Sequence, residues 1–362
     1  MIKVLRLSNH PTIARHGVGL HCREISKTDI LETIFISPII DENDSFVVPT
    51  RYKLFSPNIK FDKRPSHDSI LNSFQFHVSR FYKLIRFSTY AIHIATKNNI
   101  DIIHIHSPMF ILVAIWGKIY RKKTCITYHG TDYLRIKNSI LYKFFSNTFI
   151  DIGFCISPVM IDRMKAFHKH VVYSPNGVDS KVFVDKKKKR QKVILAVGSL
   201  KAEKSFGNLI LAFDKMKQEV PLYTLHIVGE GKMRDYLQSL INERKLNDRV
   251  VLCGNLKKDE LIDKYNESEV FILSSKTEGF PKVVLESLFC GCKAIATNVG
   301  SVNTFLPEKY VIPDDSILNL SKHLLKIVKS EEYQINLHDL KDRYTWSNVI
   351  KIYEFEYKNL LK

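Results

Sequence analysis

Lys186-Lys187-Lys188-Lys189-Arg190 leads, across Gln191 and Lys192, into Val193-Ile194-Leu195-Ala196-Val197-Gly198-Ser199, and the organisation of the chain turns on this junction. Upstream of it, short apolar runs at Lys3–Leu7, Thr33–Ile36, Asp101–Ile105, Thr124–Tyr128, Ile150–Ile156 and Val171–Tyr173 read as strands. Downstream the same grammar restarts, with Val193–Val197, Tyr223–Val228, Arg249–Cys253, Val270–Leu273, Lys293–Thr297 and Lys309–Ile312. Segments with apolar residues spaced by three and four, such as Phe206–Met216, Met233–Arg244 and Leu318–Val328, separate many of them as helices. Strand–helix–strand repetition builds a parallel sheet covered by helices on both faces. A restart after a charged linker predicts two such sheets, one in a domain over 1–182 and one in a domain over 183–345. The aromatic-rich helix expected over 346–362 needs a surface to bury against and is assigned to the first domain.

The bulk properties agree with two domains. A chain of 362 residues exceeds one ordinary hydrophobic core, and 45% hydrophobic with 25% charged residues is a normal globular balance. Lys3 and Arg6 interrupt the first apolar run, so no secretory leader is read there, and Met109–Trp116 is too short to span a bilayer. The cysteines, among them Cys290 and Cys292, show no framework spacing and read as reduced core residues, which points to a cytoplasmic protein. The net charge is +18, and between Arg51 and Lys143 there are 16 basic against four acidic residues. That surface attracts polyanions: phosphorylated substrates or anionic lipid. A nucleic-acid reader would need a groove-reading or stacking module, and none is visible in the α/β pattern, so nucleic acid is excluded as a partner.

Several strands end in small or polar residues, including Ser8-Asn9-His10, His129-Gly130-Thr131-Asp132, Gly198-Ser199, Gly229-Glu230-Gly231 and Ser274-Ser275. Ligands of open α/β sheets bind at such carboxyl ends. The sharpest segment is Thr277-Glu278-Gly279-Phe280-Pro281-Lys282-Val283-Val284-Leu285-Glu286-Ser287, which comes after a buried strand and opens a helix with Pro281 near its first turn. Unpaired N–H groups at a helix start preceded by glycine suit a phosphate. Glu278 before that start and Glu286 inside it would accept hydrogen bonds from sugar hydroxyls at opposite ends of a diphosphate.

Glu278 and Glu286 form an E-x7-E pair that resembles the signature of the family-4 retaining glycosyltransferases. Pro175-Asn176-Gly177-Val178-Asp179, Val197-Gly198-Ser199-Leu200 with Lys204, and Ile227-Val228-Gly229-Glu230-Gly231 continue the likeness, which is dense over residues 170–300. The resemblance implies the GT-B fold: α/β, two Rossmann-like parallel-sheet domains facing a central cleft, the donor held mostly by the second. It implies that Glu286 binds the donor ribose. Glu278 with the backbone of Gly279, Phe280, Pro281, Lys282 and Val283 would hold the transferred sugar and the diphosphate. Lys204 would neutralise charge on the leaving phosphate, and His129 would contact the donor sugar near the reacting centre. Gly17 and Gly19, in a glycine loop Arg15–Gly19 after the first strand, would approach the diphosphate, and Leu256 would lie near the base. Ser199 stands where the family usually has arginine, so one of two phosphate cations is missing. Lys293 replaces a common proline, and Asn303 a frequent glutamate.

The implied reaction moves a sugar from a UDP- or GDP-sugar, with retention and without a metal or other cofactor; no Asp-x-Asp motif is present to bind one. The acceptor would be a glycan or a lipid-linked oligosaccharide in cell-surface polysaccharide synthesis, such as lipopolysaccharide or capsule. In Ile70–Asn98 one helical face carries Phe74, Val78, Phe81, Ile85 and Ile92, and the other carries Arg80 and Lys83 beside Phe76, Phe87 and Tyr90. A basic face with interleaved aromatics suits an anionic bilayer, which would place the protein peripherally on the inner face of the plasma membrane. A nicotinamide-dependent dehydrogenase would need an acidic residue ending the second strand, and Ile36-Ser37-Pro38 has none.

Overall fold

The computed structural model describes residues 1–8, 17–38, 52–61, 70–130, 136 and 138–362. Asn9, His10, Arg15, His16, Arg51, Thr131 and Asp132, and the side chain of Phe74, lie outside the described residues. The chain forms two compact units, Met1–Asn176 with Trp346–Lys362, and Gly177–Thr345.

In the first unit the strands are β1 (Ile2–Leu7), β2 (Leu31–Ile36), β3 (Lys53–Phe55), β4 (Ile102–Ile105), β5 (Lys123–Tyr128), β6 (Ile152–Cys155) and β7 (Val171–Tyr173). They pair all-parallel in the order β3-β2-β1-β4-β5-β6-β7. Helices α1 (Gly17–Glu24), α2 (Ile70–Lys97), α3 (Ile111–Ile119), α4 (Ile140–Phe149) and α5 (Pro158–Met164) connect them. Val4, Leu5, Ile102, Ile103 and Ile126 are almost fully buried, because a parallel sheet is covered on both faces and its central strands become continuous apolar runs. The second unit repeats the plan with β8 (Gln191–Val197), β9 (Thr224–Val228), β10 (Val250–Gly254), β11 (Ser268–Leu273), β12 (Lys293–Thr297) and β13 (Val311–Ile312). Their order is β10-β9-β8-β11-β12-β13, again all parallel. Its helices are α6 (Phe206–Met216), α7 (Arg234–Glu243), α8 (Lys258–Glu267), α9 (Lys282–Phe289), α10 (Ile317–Lys329) and α11 (Leu337–Tyr344).

The last helix, α12 (Trp346–Leu361), belongs to the first unit. Trp346, Val349, Tyr353 and Tyr357 pack in one core cluster with Val4, Ile102, Cys125 and Phe154. A helix that brings tyrosine into a core must pair its hydroxyls. The Tyr357 hydroxyl accepts from the buried Arg6 at 3.1 Å, and that of Tyr353 meets His21 at 2.9 Å.

Four local readings need correction. Lys186–Arg190 is not a free linker: Lys186 and Lys188 pair with Asp263 at 2.8 and 3.0 Å, and Arg190 donates to the carbonyls of Ser268 and Cys290. The run lies along the second unit, against acidic α8. Lys309 and Tyr310 sit in a short 3-10 turn, Glu308–Tyr310, instead of opening a strand. Gly17 and Gly19 occupy the first turn of α1, so they are helical and not part of a loop. In α2 the inward side is Phe87, Ala91, Ile92, Ile94 and Ala95, whereas Val78, Phe81 and Ile85 are exposed. Phe87, expected on the basic outer face, is fully buried and stacks on Phe110 at 4.9 Å.

Candidate active site

In the second sheet the strand order reverses direction between β8 and β11, and the carboxyl ends at such a reversal form the crevice of an open α/β sheet. The segments leaving these two strands brace each other. After β8 the chain runs through Gly198-Ser199 into the 3-10 turn Ala202–Lys204. Ser274, just past β11, donates from Oγ to the Lys204 carbonyl at 2.8 Å, and the Lys276 amide donates to the Glu203 carbonyl at 2.8 Å. The Lys204 side chain passes over Gly198, where an added Cβ would touch its stem at 3.4 Å. Its ammonium closes an ion pair with Glu278. Ser275 Oγ donates to the same Glu278 oxygen at 2.9 Å. Both partners of the pair are partly buried, so it is more strongly coupled than a surface pair would be.

The loop beyond Glu278 is fixed by its backbone. Gly300 has φ +57°, and a Cβ there would meet the Gly279 and Glu278 carbonyl oxygens at 2.5 and 2.7 Å. Ser301 Oγ donates to the Gly279 carbonyl at 3.3 Å. The Phe280 ring turns into the interior between Phe305 and Tyr344, with centroids 5.7 and 5.8 Å away, and Pro281 is buried at the N-cap of α9. What these two residues offer a ligand is therefore main chain. Lys282 and Val283 come next, half-buried, in the first turn of α9.

Glu286 is half-buried, and the hydroxyl of the buried Tyr265 donates to its Oε2 at 3.3 Å. Burial pushes its carboxyl above the usual glutamate range, against the pull of Lys282 and the Tyr265 hydrogen bond. A carboxylate in this position is under-solvated and gains from added hydrogen-bond donors.

On the far side of β8, Gly229 has φ +141°, and a Cβ there would strike the Gly198 carbonyl oxygen at 1.9 Å. Its amide donates to the Gly254 carbonyl at 2.8 Å, which draws the ends of β8, β9 and β10 together. Half-buried Leu256 lies just past β10, and Ser199 is exposed. Cys290 and Cys292 are buried thiols that burial pushes up to about 12, and Cys292 Sγ donates to the Tyr265 carbonyl, so both behave as core residues.

His129 belongs to the first unit, directly after β5. Its Nε2 lies 3.1 Å from Nδ1 of buried His106, which sits at the end of the neighbouring β4, and its ring meets that of His21 in α1 edge-on at 5.0 Å. The reversal of strand order in this sheet falls between β1 and β4, so His106 stands at the corresponding place in the first unit.

Residues 178–341 match the family described as Glycosyl transferases group 1, and residues 54–182 match Glycosyltransferase Family 4. Both halves of the chain carry glycosyltransferase domains. The phosphatidylinositol N-acetylglucosaminyltransferase gpi3 subunit of Schizosaccharomyces pombe is 25% identical over 293 residues, covering 74% of this chain and 63% of that protein. The chain thus spans less than two thirds of that relative's length. A Campylobacter jejuni N-acetylgalactosamine-N,N'-diacetylbacillosaminyl-diphospho-undecaprenol 4-alpha-N-acetylgalactosaminyltransferase is 37% identical over 110 residues, 30% of this chain and 28% of that one. Among solved structures, Anabaena HepE in complex with UDP aligns with a TM-score of 0.80 at 15% identity, over 99% of this chain and 100% of that chain. Likeness at that identity establishes the GT-B fold.

Within these glycosyltransferase domains, Lys204, Glu278 and Gly279–Val283 gather at one reversal point, with Glu286 further along α9. Reading the sequence missed Tyr265, His21 and His106. His104-Ile105-His106 alternates at the end of a buried strand, which puts both histidines on one face. That was the available signal.

Proposed function

We propose that the protein is a retaining, metal-independent glycosyltransferase that moves a sugar from a UDP- or GDP-sugar to a lipid-linked acceptor in cell-surface glycan synthesis. The observation that carries the reading is the Lys204–Glu278 pair spanning the β8/β11 reversal. The two charges neutralise each other. A nucleoside diphosphate sugar offers a better partner to each: phosphate oxygen to Lys204, sugar hydroxyls to Glu278. Lys204 then faces the oxygen on which charge grows as the glycosidic bond breaks, the kind of preorganised group that contributes most to such reactions. Glu286 takes the ribose hydroxyls, and the loop backbone at Gly279–Val283 takes the diphosphate. His129 orients the donor sugar, and the leaving phosphate assists removal of the acceptor proton on the same face. A UDP complex of a structure with the same fold supports a uridine donor.

Two observations support a lipid-linked acceptor. Both the Schizosaccharomyces pombe and the Campylobacter jejuni relative carry a lipid in their names, phosphatidylinositol in one and diphospho-undecaprenol in the other. The first unit also has an outer surface suited to anionic lipid. Helix α3 packs between α2 and α4, and together they expose Phe81, Tyr82, Trp116, Tyr120, Ile140 and Phe144. No aspartate or glutamate occurs in these three helices, while Lys83, Arg86 and Lys143 lie among the exposed rings and Arg121 to Lys123 succeed α3. Aromatic and aliphatic side chains fringed by cations, with no anions, match a negatively charged bilayer surface. Among the described residues no helix is long and apolar enough to cross a membrane.

The deciding experiment is a saturation-transfer NMR screen of sugar nucleotides against the pure protein, followed by NMR of the product of the best donor with chelator present. A bound sugar nucleotide and a product with the donor's anomeric configuration are expected. An inverted product would overturn retention, and a chelator-sensitive rate would overturn metal independence. Absence of any bound sugar nucleotide would overturn the whole assignment.

A further inference from the structure

Four histidines, His21, His104, His106 and His129, meet at the carboxyl ends of β4 and β5, and the protons of two of them are set by their partners. Arg6 Nη1, which can only donate, meets His104 Nδ1 at 3.0 Å. The His104 proton therefore sits on Nε2, which donates to Thr127 Oγ1 at 2.8 Å. His21 Nδ1 faces the Asn176 Oδ1 acceptor at 2.7 Å, so it carries the proton, and Nε2 accepts from the Tyr353 hydroxyl at 2.9 Å. Both rings are held in place by these bonds, and burial keeps His104 well below the usual histidine range.

His106 stacks on pinned His104, with centroids 4.4 Å apart and planes 15° from parallel. It is buried, with Nδ1 against His129 Nε2 at 3.1 Å, while its own Nε2 has no hydrogen-bond partner among the described residues. One of the two facing nitrogens must donate. If His129 Nε2 donated, neutral His106 would carry its proton on Nε2, leaving a buried N–H with no acceptor. Such orphaned donors are rare in folded proteins. If His106 Nδ1 donates, the orphan is only an unshared lone pair. Burial, with the Arg6 cation nearby, holds His106 well below the usual histidine range, which disfavours a doubly protonated ring at neutral pH.

We infer that His106 is a positioning residue that donates from Nδ1 to His129 Nε2 and so fixes His129 as the tautomer protonated on Nδ1. His129 then cannot take up a proton through Nε2 without breaking that bond, which fits a residue that orients sugar and does not act as a base. This consequence rests on the proposed role of His129. The tautomer itself does not.

The test uses long-range 1H–15N spectra of full-length protein labelled with 15N-histidine, together with steady-state kinetics. In the wild type, His129 should show a protonated Nδ1 and an unprotonated Nε2. His106→Phe keeps a ring on His104 and removes the donor. It should move the His129 proton to Nε2 and lower kcat by on the order of 10²-fold, the scale of a misplaced group at a reacting centre, with donor KM and nucleoside diphosphate affinity unchanged. His106→Asn, which can place an amide near the lost Nδ1, should recover part of kcat. A wild-type His129 protonated on Nε2 would overturn the inference, as would unaltered kcat in His106→Phe. Unaltered turnover in His129→Ala would instead overturn the reading of His129, and the wild-type spectrum would still decide the tautomer.

Discussion

Glu286, as the proposed ribose ligand, would couple ligand recognition to folding with opposite signs. Burial raises its folded-state carboxyl above the ordinary value. A group shifted this way favours the folded state while protonated, and that contribution is lost as pH climbs through the raised value. At neutral pH the carboxylate is therefore a net cost to the empty chain. Glu286→Gln should raise the melting temperature of the apo protein at pH 7 and flatten its fall between acidic and neutral pH. The same change should weaken nucleotide binding by about 1–3 kcal/mol, the scale of a charged hydrogen bond. Calorimetric titration and thermal melts on one sample check both; a variant that lost stability and kept affinity would show a structural glutamate. Lys204 differs, because its partner Glu278 is already present and Ser199 supplies no second cation. Lys204→Met should lower turnover by about 10²–10³-fold, with a much smaller loss in sugar-nucleotide affinity. Single-turnover rates beside binding isotherms separate the two.

The outer helices of the first unit make a surface that can be read optically. The chain has two tryptophans, and of these Trp116 on α3 is exposed whereas Trp346 on α12 is buried. Vesicles rich in anionic lipid should shift the tryptophan emission to the blue, and Trp116→Phe should abolish the shift. Added salt should reverse binding, because these charges are screened over about 8–10 Å. Equal binding to neutral vesicles would refute an electrostatic contribution. Legibility also differs at this scale. The buried parallel strands were readable because each is a continuous apolar run between polar ends. Strand β3, Lys53–Phe55, was not read, since three residues at a sheet edge carry no periodicity. On α2 the spacing offered two apolar stripes, and hydrophobicity alone does not say which one is covered; Phe87 went to the wrong side for that reason. The stretch from Glu278 to Glu286 was legible as a loop that opens a helix, because Pro281 marks the start of α9. The His106–His129 bond joins two strands, and no local spacing encodes it.

At the scale of the whole molecule, the first unit is built from both sides of the second. Its sheet buries Tyr353 and Tyr357 from α12, and Arg6, a buried cation, donates to Tyr357 and His104 as well as to Ser26. Tyr357→Ala should destabilise the first unit by about 3–5 kcal/mol, the range for truncating a large buried ring. Hydrogen exchange read peptide by peptide should rise across β1, β4 and β5 and stay unchanged across β8, β9 and β11. Uniform acceleration in both units would mean that they unfold as one.

That discontinuity also orders events during synthesis. Domains generally fold as units while the chain is being made, the N-terminal one first. Here the segment Met1–Asn176 is made first but lacks the helix that completes its core, whereas Gly177–Thr345 is continuous in sequence. The first unit therefore cannot complete its core until the whole of the second has been translated. Until Trp346 and the residues after it are translated, an incomplete apolar sheet face waits in the cell, open to chaperones and proteases.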